Sequence, residues 1–223
     1  MFHPVPDPSF PGEPALPRLG AALADALAAV RVALELLGST DAVPREEVIA
    51  LARGASRKAE AYRELLAALA RAHSMEVAPG ASEACTVLRR ALAASEKDDR
   101  CAGARAECPR DELFPVALSV PVLSELFGAW WRGTRAVLED PGSLVVETGG
   151  GVVRVHATGR LAVSPERLAI ACGDRGADRL AAVPLPPGAW YLAVAGVLAR
   201  RAGGDVRATV AGPELVLPAY PGP

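Results

Sequence analysis

The sequence predicts an α+β protein: an N-terminal antiparallel helical hairpin that forms a four-helix bundle in a dimer, followed by an α/β sandwich. Three observations predict it. Residues 15–72 carry two long stripes of apolar side chains at steps of three and four, split by a Gly-Ser-Thr-Asp turn. Gly149-Gly150-Gly151 separates two strand-like runs, a hairpin signal. After residue 74 helical stretches alternate with strand pairs, so a layer of helices on a mixed sheet is the expected packing.

The first helix is expected over Ala15–Gly38, where Leu16, Leu19, Leu23, Leu27, Val30, Leu34 and Leu37 form the stripe. Interleaved alanines widen it, so the helix can pack closely on more than one side. Gly38 suits a helix end. A second helix starts near Pro44, with Glu46 and Glu47 complementing the positive end of its dipole, and runs to about Ala72 through Val48, Leu51, Ala55, Ala59, Tyr62, Leu66 and Leu69. One hairpin offers too little partner surface to bury two wide stripes. Pairing of two copies solves this and predicts a homodimer.

Beyond Ser74 the pattern predicts helices at Gly80–Ser95, Val120–Leu138 and Leu192–Arg201. It predicts strands at Cys101–Cys108, Ser143–Thr148, Val152–His156, Asp205–Val210 and Glu214–Leu217. The chain thus divides into a Pro-rich tail (1–15), a dimerisation hairpin (16–73) and an α/β domain (74–223). Trp130 and Trp131 are adjacent on a helix, so one is expected in the core and the other exposed or lining a pocket.

Composition excludes several functions. The net charge is −2, with no basic stripe of the kind that tracks nucleic acid. No apolar run is long enough to cross a membrane. The N-terminus has six prolines before Arg18 and lacks signal-peptide features, so a cytoplasmic protein is expected. Cys85, Cys101, Cys108 and Cys172 form no C-x-x-C pair, and reduced, buried thiols are expected. The alternative is a pair between Cys101 and Cys108. No histidines stand at metal-ligand spacing. His73, at the end of the second helix, reads as a cation complementing the dipole, and His156 as a strand residue.

Several stretches resemble bacterial sensor histidine kinases. Leu192–Arg201 followed by Ala202-Gly203-Gly204 resembles the last helix of their ATPase domain and the His-Gly-Gly that ends it. Gly212-Pro-Glu-Leu-Val-Leu-Pro218 resembles its closing strand, and Val163–Leu168 the segment after its aspartate-glycine box. Leu27–Leu37 resembles the helix that carries the phospho-acceptor histidine.

The resemblance implies a scaffold with altered chemistry. The acceptor position falls on Ala21, and the magnesium-binding asparagine position near Gly133; the chain contains no asparagine at all. The adenine-reading box reads Ala157-Thr158-Gly159, without its carboxylate, and the second glycine box reads Ala189-Trp190-Tyr191, where two aromatics obstruct an approach to phosphate. The expectation is a non-enzymatic protein with no cofactor and no metal, unable to bind ATP or accept phosphate on histidine. It signals through contacts of the hairpin, with Arg31, Glu35 and Arg57 facing a response-regulator receiver domain or another signalling protein. Two alternatives stand beside it: a histidine phosphotransferase using His73, and an architectural assembly protein.

Overall fold

The computed structural model describes residues 15–38, 44–95, 105–107, 113–139, 143–173 and 185–221. The Pro-rich tail, Cys101 and Cys108 lie outside them. The hairpin is built from α1 (Ala15–Gly38) and α2 (Arg45–Ser74). Its inner seam is narrow. Leu19, Ala26 and Ala33 recur every seven residues on α1 and are buried, as are Val48, Ala55 and Ala59 on α2. Alanine at the contact lets the two backbones approach closely, which explains why these stripes are rich in it.

The second part contains β1 (Ser82–Glu83), α3 (Ala84–Ser95), β2 (Arg105–Glu107), β3 (Pro115–Val116), α4 (Val120–Val137), β4 (Ser143–Gly149), β5 (Val152–Ala157), α5 (Pro165–Ala171), a 3-10 turn (Pro187–Trp190), α6 (Tyr191–Arg201), β6 (Asp205–Thr209) and β7 (Gly212–Pro218). Among the described residues, five strands form one sheet in the order β2-β4-β5-β7-β6, and β1 pairs with β3. Within it β2 and β4 are parallel and the other described pairs antiparallel. The inward residues of β4, β5 and β7 (Leu144, Val146, Val153, Val155, Leu215 and Leu217) meet α4 and α6 in one core.

Turn chemistry sets the junctions. Gly150 and Gly151 have φ of 60° and 77°, the conformation a two-residue hairpin needs and glycine supplies without strain. Gly203 ends α6 with φ 78°. A Cβ on Gly204 would lie 2.2 Å from the Val216 carbonyl oxygen, so the Gly-Gly pair is imposed by the close entry of β6 beside β7. α3 starts at Ala84, four residues later than the apolar pattern suggests, because Glu83 caps it. That carboxylate accepts from the backbone N–H of Cys85 (3.0 Å) and Thr86 (2.5 Å). Burial works to raise the Glu83 pKa, but the hydrogen bonds from Thr86, Cys85 and Phe114 outweigh it and hold the group below its usual range.

Three expectations are corrected. Cys85 is disulfide-bonded rather than reduced. Trp130 and Trp131 are both buried, because α4 is enclosed by α3, α6 and the sheet and has two inward sides. His73 is not the cation that caps α2. Burial lowers its pKa first, and the neighbouring Arg201 lowers it further. The guanidinium of Arg201 caps α2 instead, donating from Nη1 to the Ala72 carbonyl at 2.5 Å.

Candidate functional site

Two regions of the fold gather the residues that the sequence singles out. The first is the junction of α4, the 3-10 turn and the start of α6, with the end of β5 tied to the end of α4. Gly133 lies on the inner side of α4. A Cβ there would stand 2.6 Å from both N and Cγ of Leu192, so α4 and α6 touch backbone to backbone. One turn further on, a Cβ on Gly188 would stand 2.9 Å from the Ala136 methyl. Ala189 and Trp190 are buried in the same contact. The 3-10 turn is therefore seated directly on α4.

Tyr191 is half-buried, and the Arg132 guanidinium sits over its ring, 5.4 Å from the centroid. On α4, Arg132 is exposed and Arg135 and Ala136 half-buried, whereas Gly133 is buried. The sequence reading missed the Arg132–Tyr191 stack. Its signal was available in the aromatic pair at Trp190-Tyr191, but the distance from residue 132 hides it.

The segment after β5 lies against the end of α4. Ala157 is buried, whereas Thr158 and Gly159 are exposed. The Thr158 hydroxyl exchanges hydrogen bonds with the backbone N–H and carbonyl of Ser143, both at 3.2 Å. Ala162 N–H donates to the Val137 carbonyl at 2.8 Å, and Arg160 pairs with Glu139. The Ala157–Gly159 turn is thus tied to the end of α4. Among the described residues no cluster of His, Cys, Asp and Glu could hold a metal ion. Ala157 carries no carboxylate and Gly133 no amide.

The second region is the hairpin surface. Leu23, Leu27, Val30, Leu34 and Leu37 fall at alternating steps of four and three along α1. This seam lies beside the inner one, and Leu27, Leu34 and Leu37 are 54%, 61% and 38% exposed. On another face, Ala21, Asp25, Ala28 and Val32 form an exposed row at helical spacing. Arg31 borders that row and its Nε donates to Glu35 at 2.8 Å, with both side chains well exposed. Arg57 is exposed on α2. Tyr62 on α2 has a pKa raised by burial and then by the charge of Asp25, which places those two turns side by side.

His73 and the Ala21 row are not brought together. His73 is half-buried at the far end of α2, against α6. His156 projects from the outer side of β5, in register with Val145 and Glu214. Among the described residues no helix is long and apolar enough to cross a membrane.

No protein-family model matches this chain, and no curated protein matches it. Solved structures do. The histidine kinase AdeS of Acinetobacter baumannii is 13% identical, with a TM-score of 0.55 over 88% of this chain and 94% of that one. The histidine kinase ThkA, solved in complex with the response regulator protein TrrA, is 12% identical, with a TM-score of 0.60 over 94% of this chain and 62% of that one. Full-length ShkA, solved with AMPPNP, is 17% identical, with a TM-score of 0.50 over 94% of this chain and 44% of that one. This chain therefore has the fold of the histidine-kinase hairpin and ATPase domains together. The same finding corrects the expectation of a non-enzyme. AdeS and ThkA are histidine kinases, which are enzymes, and the altered residues do not establish that this chain is inactive.

Proposed function

We propose that this chain is a two-component-type signalling protein. It works as a homodimer through its helical hairpin, docks a response-regulator receiver domain there, and does not hold ATP through the family's contacts. One observation carries the reading: α1 leaves a heptad seam of leucines exposed in a single copy. A second copy laid against Leu23, Leu27, Val30, Leu34 and Leu37 completes a four-helix bundle by knobs-into-holes packing.

Receiver docking follows from the face that such a bundle leaves free. Ala21, Asp25, Ala28 and Val32 present small side chains and one apolar knob, with the Arg31–Glu35 pair at the border and Arg57 across the hairpin. Small residues admit a partner helix, and the charges set its register and on-rate. The ThkA structure, solved with its response regulator, supports the choice of partner class.

Titration of purified receiver domains onto the protein tests this. Binding is expected to weaken at least about tenfold when Arg31 and Glu35 are exchanged in sign, and further when Arg57→Glu is added, since each rim charge acts mainly on encounter. Saturating Mg-ATP is expected to leave the titration unchanged. Receivers that bind the charge-reversed protein as well as the wild type would place their docking surface elsewhere.

A further inference from the structure

A polar group taken into a dry core loses its hydration and needs a partner in exchange. Ser82 follows this rule: its hydroxyl is buried and donates to the Leu118 carbonyl at 2.6 Å. Thr134 departs from it. Its Oγ1 is fully buried on α4 and meets no hydrogen-bond partner among the described residues. The same holds for Nε1 of Trp130, which is also fully buried.

The two residues stand one helical turn apart and share a side of α4. Leu123, Leu126, Phe127 and Val137 fall on that side as well, and all four are fully buried. Thr134 and Trp130 are thus the two polar groups of an otherwise apolar seam. The seam lies round the helix from Gly133, which meets the Leu192 backbone, and from Ala136, which meets Gly188.

The chemistry of the pair is complementary. An indole N–H only donates, whereas a threonine hydroxyl both accepts and donates. Helical side chains lean toward the helix N-terminus, which inclines the Thr134 hydroxyl over the turn that carries Trp130. No direct bond joins the two groups. A mediator between them must accept from the indole and donate to the hydroxyl. It must be neutral, because no charged side chain is among the described buried ones. It must also be small, because leucine, phenylalanine and valine pack the same seam. Water meets all of these terms, and buried waters of this kind typically join two to four polar groups.

We infer that α4 holds an internal water between Trp130 Nε1 and Thr134 Oγ1, accepting from the indole and donating to the hydroxyl. It orients the Trp130 indole within a seam whose other side chains can only pack. The site belongs to the isolated chain and rests on no reading of its function.

Thr134→Val tests it, because valine keeps the shape of threonine and deletes the hydroxyl. Removing an orphan hydroxyl stabilises a core, whereas removing one end of a water bridge leaves the water and the indole short of a partner. Tm is therefore expected to fall by about 2–4 °C, the shift that one lost hydrogen bond gives a chain of this size. In the Trp130→Phe background the same substitution is expected to lower Tm by clearly less, since the bridge is already broken there. In the wild type, the Trp130 indole proton, assigned by its loss in Trp130→Phe, is expected to show rotating-frame cross-relaxation to a long-lived water. A rise in Tm in Thr134→Val would overturn the inference. So would an equal fall in both backgrounds, which would tie Thr134 to some other partner. A fall with no water contact at the indole proton would overturn it too, by making the two side chains bond directly.

Discussion

Glutamate at both Leu27 and Leu34 is expected to hold this chain as a monomer at concentrations where the wild type dimerises. The two leucines are 54% and 61% exposed in one copy, so about half of each side chain remains to be buried. Full burial of a leucine contributes about 1.5–3 kcal/mol, so the remaining half contributes roughly 1 kcal/mol each. Four such side chains per dimer give about 4 kcal/mol, or roughly a 10³-fold change in dissociation constant. Carboxylates buried in the seam add a desolvation cost on top. Light scattering across a concentration series checks this. A double variant that dimerises like the wild type would show that the exposed heptad seam is not the interface.

The second large effect is expected at Gly133. Alanine there must place its Cβ 2.6 Å from the Leu192 backbone nitrogen, and a backbone atom cannot swing aside as a side-chain tip can. Overpacking of this kind costs about 1–3 kcal/mol, and a backbone neighbour puts Gly133→Ala at the upper end. For a chain of this size, about 3 kcal/mol lowers Tm by roughly 6–12 °C. Gly128 on the same helix is the control. A Cβ there meets nothing within 4 Å, so Gly128→Ala is expected to stabilise the protein by up to about 1 kcal/mol through helix propensity alone. Thermal denaturation of the two variants separates the explanations. Similar shifts in both would mean that the α4–α6 contact is looser than the backbone approach implies.

Much of this fold is legible because its signals are local. The heptad leucines of α1, the Pro44-Glu46-Glu47 start of α2 and the Gly150-Gly151 turn each act over fewer than a dozen residues. Gly203 and Gly204 carry geometric demands, a left-handed φ and a backbone approach to β7, that only glycine meets. What stayed hidden depends on partners far along the chain. The burial of Trp131 reflects three elements converging on α4, and no periodicity of α4 itself reveals that. Arg201 as the cap of α2 joins residues 129 positions apart. The five-residue β6 and the two-residue β1 and β3 differ in legibility for the same reason: a hairpin partner lies beside β6, but β1 and β3 meet across an intervening helix and strand.

The candidate site is legible in part for a chemical reason. That Ala21 has no side-chain nitrogen and Ala157 no carboxylate is read directly from the sequence. Which α4 side chains point inward is a matter of helix phase, and a shift of one residue separates the buried Gly133 from the exposed Arg132.

Titration calorimetry with ATP and ADP in the presence of Mg²⁺ tests most directly the proposal that this chain signals through its hairpin and does not hold ATP through the family's contacts. With Trp190 buried against α4 and Arg132 stacked on Tyr191, no heat of binding is expected at millimolar nucleotide. Micromolar binding would contradict the account: the 3-10 turn would have to leave α4 to admit phosphate, and nucleotide chemistry would become the leading function of the chain.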